Sequence, residues 1–418
     1  MRFEATRRSG YALDGLNFFT AAMQSGFGAF VALLLVRDNW TPQNIGFALT
    51  ISTIASLGSQ IPAGALIDSI RDKRQAVGAG IVGVGFAALL LALFSARLAV
   101  YLAQVLQGLA SSLIAPGIAA ISLALVGHHA LSERIGRNAR FGSIGNGLTV
   151  AVMGFGGSLF EPVWIFWFAA AQAIPALLCL LWVRSDGTPL PADAGLADEA
   201  TGDTARFGWN CIKELASDRR LLVFATCVLL FFLATAAIGP GMAAGVSEHY
   251  PKRATLILAG MMLLAPTIVA AVSPWIGFMA QRLGRRPVLL LGWGLVPLQV
   301  GLYAVLPFPF AMVIYQFLNG FSGAVFGVMM SVVAADITVG TGRFNLTLGA
   351  LSAATAAGAS LSTFIGGLTL SALGPTGAAL TLAGTGLLAF LLLWIGLPET
   401  RPLPAAAQNT GQARLQEP

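Results

Sequence analysis

The chain has 418 residues, of which 56% are hydrophobic and only 10% charged, with a mean hydropathy of +0.78. Soluble domains carry about 25% charged residues, so no water-soluble core hides this much apolar surface and the solvent is a bilayer. The formal net charge of +6 is not a nucleic-acid signature, because the basic residues lie in short loops between apolar runs, as loops retained in the cytoplasm do.

The N-terminus, Met1 to Ser9, is basic, and the apolar run after it is too long for the core of a signal peptide. It reads as a retained first span. A span needs roughly 20 mostly apolar residues, and the runs fall at 11–36, 43–67, 75–95, 99–127, 140–160, 163–183, 219–246, 254–280, 288–306, 308–335, 343–370 and 376–397. An even count puts both termini on one side. Placing them in the cytoplasm puts Arg71, Lys73, Arg74, Arg134, Arg137, Arg184, Arg219, Arg282, Arg285 and Arg286 in cytoplasmic loops. Only Arg37, Arg97, Lys252 and Arg253 then face the other side, which is the charge bias of an inner-membrane protein.

The longest loop, 184–218, divides the spans six and six. Its first part is rich in Pro, Gly, Asp and Ala and reads as a flexible linker. Its second part sets Phe207, Trp209, Ile212 and Leu215 beside Lys213 and Glu214, the pattern of a short helix lying on the membrane surface. The expected organisation is therefore a six-helix bundle over 1–183, a cytoplasmic linker over 184–218, a second bundle over 219–397 and a disordered cytoplasmic tail over 398–418. Cys179, Cys211 and Cys227 lack metal-like spacing, so neither a disulfide framework, a metal site nor a cofactor is expected.

A glycine-led charged turn occurs twice. Gly64 to Arg74 lies between spans 2 and 3, and Gly277 to Pro287 lies between spans 8 and 9. Further echoes follow in the same order. Gln104-x-x-Gln107-Gly108 in span 4 answers Gln316-x-x-Asn319-Gly320 in span 10, and Glu133 with Arg140-Phe141 answers Asp336 with Arg343-Phe344. Matches in the same order, at offsets of about 203 to 213, mark an internal repeat, and a duplicated membrane half is a common transporter plan.

On these residues the chain resembles the major facilitator superfamily over nearly all twelve spans. The most specific part is the turn that supplies Gly64, Asp68, Arg71, Lys73 and Arg74. The second turn has Gln281 where the family pattern often has Asp. The resemblance implies an all-α integral membrane protein of twelve transmembrane helices in two pseudo-symmetric six-helix bundles. Likeness to the drug/proton antiporter branch is partial. Gln104 stands where many proton-coupled exporters carry Arg, and the stretch Gly147 to Gly157 has no Gly-Pro pair.

Under the same resemblance span 11 starts beside the loop after span 2. Asp68 is then expected to cap span 11 and meet Arg343, and Arg71 or Arg74 to pair with Glu133. Arg285, Arg286, Asp336 and Arg140 form the pseudo-symmetric set. Such a network would hold the halves together on the inner side.

Span 1 carries Asp14, Asn17, Ala21, Gln24 and Gly28 at spacings of three and four, hence on one helical face. Polar groups facing lipid are costly, so this face turns to a cavity or a helix. Span 4 offers Gln104, Gln107 and Ser111, and span 10 offers Gln316, Asn319 and Gly323. In the family, spans 1, 4, 7 and 10 line the central path. Asn17, Gln24, Gln104, Gln107, Gln316 and Asn319 are therefore the candidate substrate contacts, with interhelical hydrogen bonding the competing role. Phe231 and Phe232 are candidates for an apolar wall. Asp14 is the candidate for proton coupling, being the one carboxylate inside an expected span rather than at its end.

No Arg, Lys or Glu falls near the centre of an expected span. The expected cargo is therefore neutral, amphipathic, or bound by amides and dipoles. A membrane enzyme would need a convergent catalytic set, a channel would need a charged ring, and the sequence offers neither. The expectation is a monomeric secondary transporter of a small organic solute, coupled to protons with export favoured. A proton-independent facilitator or an uptake symporter is the alternative.

Overall fold

A computed structural model describes residues 2–27, 29–159, 161, 163–183, 217–250, 254–306 and 310–401. The linker helix expected near 207–215, Gly28, Cys211 and the tail beyond 401 lie outside the described residues.

The described chain is built from helices. Eight of them are long and apolar enough to cross a membrane. Two of these eight, Arg97–Leu159 and Phe344–Gly396, are each a pair of spans joined at one residue, Gly127 (φ 67°) and Gly374 (φ 71°). A left-handed φ is open to glycine at little cost, so a single residue turns each chain. Asn138 Nδ2 donates to Ser122 Oγ at 2.8 Å across the first turn. In a straight helix the two would stand about 24 Å apart at 1.5 Å per residue, so the arms lie side by side. Span 4 is thus 97–126, span 5 is 128–159, span 11 is 344–373 and span 12 is 375–396.

Spans 1, 6 and 7 are broken instead. Span 1 is Arg2–Gln24 with Ala29–Arg37, span 6 is Val163–Ala171 with Ala173–Trp182, and span 7 is Arg219–Thr235 with Ile238–His249. Pro240 has no N–H to offer the carbonyl four residues back, and the helix steps at Ala236. The Ala237 N–H freed there donates to Ser362 Oγ of span 11 at 2.9 Å. The remaining spans are Pro42–Ser69, Lys73–Leu93, Ala254–Leu283, Arg285–Val305 and Phe310–Ile337, numbered 2, 3, 8, 9 and 10. Twelve spans therefore form two pseudo-symmetric six-helix bundles.

The expected loop between spans 4 and 5 needs correction. The expected spans 99–127 and 140–160 leave 128–139, with Glu133, Arg134 and Arg137, between them as a loop. Those residues are helical and open span 5, because Gly127 alone completes the turn. His128, His129, Arg134 and Arg137 are helix residues rather than loop residues.

The repeat is visible in the packing as well as in the sequence. Gly64 of span 2 abuts the backbone of Asn345 in span 11, and Gly349 of span 11 abuts Gln60 of span 2. Adding 213 to the span 2 positions and subtracting 213 from the span 11 positions gives the other contact. There Gly277 of span 8 abuts Ser132 of span 5, and Gly136 of span 5 abuts Ser273 of span 8. A Cβ at any of the four glycines would lie less than 3.0 Å from that backbone. Small residues let helices approach this closely. All four contacts lie toward the end of the molecule that carries the basic turns. Gly46, Gly154, Gly260 and Gly367, farther along the same four spans, have open space where a Cβ would stand. The halves meet at the basic end and loosen away from it.

The outer surface is apolar. Trp182, Leu98, Phe155 and Ile395 are exposed, as lipid-facing side chains are. Inside the second half, Phe231, Phe232, Trp293 and Phe326 form one cluster with ring centroids 4.9–6.3 Å apart.

Candidate functional site

A cavity of about 600 Å³ lies between the halves. Span 1 contributes Asn17, Thr20, Ala21 and Gln24, span 4 contributes Ile114, Ala115, Ile118 and Ala119, and span 5 contributes residues between Ile135 and Asn146. The second half adds Val269, Gly327 and Ser331. Asn17 Nδ2 donates to Leu13 O at 2.7 Å and Gln24 Nε2 to Thr20 O at 3.1 Å. Each amide thus spends a donor on its own helix and presents the rest of its polar edge to the cavity. Asn146 and Ser25 meet at 2.7 Å on the same wall.

The other candidate contacts sit elsewhere. Gln107 accepts from Ser52 Oγ at 2.5 Å, and Gln104 Nε2 lies 3.5 Å from Ala48 O, so both tie span 4 to span 2. Gln316 and Asn319 are half-buried on span 10, and neither lines the cavity. Phe231 is buried in the aromatic cluster of the second half rather than on the cavity wall.

Asp14 is 3% exposed. Arg134 Nη2 reaches its Oδ1 at 2.5 Å, and Arg137 binds both carboxylate oxygens through Nε and Nη2 at 2.5–3.0 Å. Arg134 also donates Nε and Nη2 to Asn138 Oδ1, at 2.8 and 2.6 Å, and Nη1 to Gly10 O at 3.1 Å. Arg137 lies over the rings of Tyr11 and Phe141. Asn138, which lines the cavity, therefore joins it to a cluster of the buried Asp14 and Arg134 with the half-exposed Arg137. Arg134 and Arg137 are not among the site residues expected from the sequence, where they fall in a loop. Their spacing of three, continued by Asn138 and Phe141, was the available helical signal.

The basic end is tied by side chains as well as by glycine contacts. Asp68 Oδ1 accepts from the Asn345 N–H at 3.0 Å and from Asn345 Nδ2 at 2.7 Å, and Asp68 Oδ2 accepts from the Leu346 N–H at 2.8 Å. These are first-turn groups of span 11, which have no intrahelical partners and sit at the positive end of the helix dipole. At the pseudo-equivalent place Gln281 donates to His129 O and accepts from Ser132 Oγ. The neutral amide thus tethers span 8 to the start of span 5. Lys73 Nζ donates to Ile67 O and Ile70 O at 2.6 and 2.8 Å, closing the C-terminus of span 2. Arg285 does the same for span 8 through Ala280 O at 2.8 Å.

Arg285 Nε also pairs with Asp336 at 2.9 Å, both buried. Arg286 Nη2 donates to Trp394 O. The remaining ion pairs between described residues join Asp14 to its two arginines and Arg37 to Glu161. The expected pairs of Glu133 with Arg71 or Arg74, and of Asp68 with Arg343, are not among them. Glu133 and Arg140 point outward and are exposed, and both oxygens of Asp68 are spent on N–H groups.

Glu399, which follows span 12, was missed. Its carboxylate accepts from the N–H groups of Arg285, Arg286 and Arg401 at 2.8, 3.1 and 3.0 Å, capping span 9. Burial works to raise its pKa, but those three donors and the Arg285 charge outweigh it and hold the carboxyl below its ordinary value. Among the described residues no group of three His, Cys, Asp or Glu side chains stands together to hold a metal ion.

Comparison with known proteins agrees with this architecture. The family described as Major Facilitator Superfamily matches residues 13–296 and 224–417. Uncharacterised MFS-type transporters of two Mycobacterium tuberculosis strains, CDC 1551 / Oshkosh and H37Rv, are each 33% identical over 395 residues, which is 93% of this chain and 93% of theirs. The crystal structure of the human organic anion transporter MFSD10 (TETRAN) superposes with a TM-score of 0.65 over 93% of this chain and 99% of that one. At 15% identity it speaks for the fold alone.

Proposed function

The chain belongs to the major facilitator superfamily, and on that premise we propose that it carries a small amphipathic organic solute across the inner membrane by alternating access. The observation that carries the reading is the cavity between the halves, lined by amides and hydroxyls on spans 1 and 5 and lying above a closed basic end. In this reading the basic end faces the cytoplasm, the termini lie there, and the protein works as a monomer. The structure then corresponds to a state shut to the cytoplasm. Opening requires Asp68 to release Asn345 and the four glycine contacts to part.

Proton coupling with export as the favoured direction completes the reading. For Asp14 to carry the proton, its two arginines must withdraw during the cycle. A proton-independent facilitator is the second reading, and the double ion pair on Asp14 favours it, because both carboxylate oxygens are already occupied by guanidinium donors. Flux in proteoliposomes with an imposed pH gradient, screened over solutes, separates the two. A gradient-driven flux lost in Asp14→Asn supports coupling through Asp14. Flux indifferent to the gradient supports the facilitator, and absence of protein-dependent flux for every solute counts against transport of this class.

A further inference from the structure

The two halves meet the cavity unequally, the first with amides and hydroxyls beside apolar side chains and the second with Val269, Gly327 and Ser331. At the offset of 213, Asp14, Ser122, Arg134, Arg137 and Asn138 correspond to Cys227, Ala335, Thr347, Ala350 and Leu351. A charged cluster in the first half is matched by an uncharged, mostly apolar set in the second. Cys227, Ala335 and Leu351 belong to the large apolar core, while their counterparts are joined by hydrogen bonds, charge-assisted where Arg134 donates to Asp14 and Asn138 and neutral between Asn138 and Ser122.

The first-half cluster holds two guanidiniums and one carboxylate, a net charge of +1. Arg137 is half exposed, and the other charged groups nearby, Glu133 and Arg140 on span 5 and Arg8 on span 1, are exposed. They leave the excess positive. Arg134 occupies the Asn138 carbonyl oxygen with two donors, and Asn138 Nδ2 gives one hydrogen to Ser122. The amide hydrogen that remains is what Asn138 has to offer a ligand. A donor polarised by a guanidinium on its own carbonyl is strengthened, and a charge acts at longer range where water is excluded.

From this geometry we infer that the solute is an amphipathic organic acid. Its carboxylate lodges at the Asn138 end of the cavity, and its apolar part lies toward Val269 and Gly327 of the second half. The inference rests on the transport reading and names its substrate class.

The test uses the full chain in nanodiscs and in proteoliposomes, with N-octanoylglycine and its carboxamide as paired probes of nearly equal shape. The acid binds about tenfold or more tighter than the amide, a modest share of what one charge exerts at short range in a protein interior. Asn138→Asp sets a second carboxylate beside Arg134, and Arg137→Gln removes one charge while leaving the Asp14–Arg134 pair. Each brings the acid-to-amide ratio toward one, and the second checks the first should the buried variant fold poorly. Equal binding of acid and amide to the unaltered protein, or no binding of the acid, overturns the inference. Protein-dependent flux of the amide in the same vesicles leaves the transport reading standing when the acid preference fails. Absence of flux for both probes counts against that reading as well.

Discussion

Asp68 and Asn345, 277 positions apart, close the basic end of the molecule through one oxygen: Asp68 Oδ1 accepts both the backbone N–H and the side-chain amide of Asn345. Hydrogen bonds to a charged acceptor contribute about 1.5–3 kcal/mol each, and this carboxylate accepts three. Asp68→Asn keeps the shape and removes the charge. The basic end then opens more often, read as a longer spin-label distance between exposed positions 71 and 341. An unchanged distance distribution would show that the cap does not hold the gate.

The four inter-half glycines should behave as two equivalent pairs. Gly64→Val and its counterpart Gly277→Val each force a side chain into backbone that has no room to move, at a cost of about 1–3 kcal/mol to the closed arrangement. Both are expected to reduce transport while raising accessibility of the basic end to water-soluble thiol reagents, in a background lacking the native cysteines. A strong effect at one position and none at the other would contradict the pseudo-symmetry of the gate.

Asp14→Ala is expected to destabilise the first half. It leaves Arg134, 7% exposed, without its carboxylate, and breaking a buried ion pair costs about 3–5 kcal/mol. Arg137 is half exposed, so Arg137→Ala should lower the melting temperature less. Detergent melts of the two variants side by side check the order.

The cap on span 9 carries a pH signature. Glu399 titrates below its ordinary value of 4.5 in the folded chain. Its contribution is therefore present in full above that value and is lost as the pH falls through the lower folded pKa. Glu399→Gln should melt earlier than the unaltered protein at pH 7, and the gap should narrow once the pH falls below the ordinary value of 4.5. A gap that stays constant would assign the effect to packing rather than charge.

Much of the architecture was legible. Long apolar runs, the two glycine-led turns and the offset near 213 fix the number of spans and their duplication, because a membrane admits few ways to satisfy a backbone. Asn17 and Gln24 were legible as one helical face. The loop drawn over 128–139 was the main misreading: charge looked like loop because hydropathy alone does not tell a helix of paired arginines from a turn. Glu399 gave no periodic signal, since its partners lie over 110 positions away.

By itself, then, the sequence determined the solvent, the twelve spans and the twofold repeat, all of which follow from composition and local periodicity. Only the tertiary structure decided which polar groups meet. It brought Arg134 and Arg137 onto Asp14, spent Gln104 and Gln107 on span 2, and set Asn138 at the cavity. The physical reason is that charge pairing in a low-dielectric interior depends on distances between helices, and no spacing along one helix encodes them.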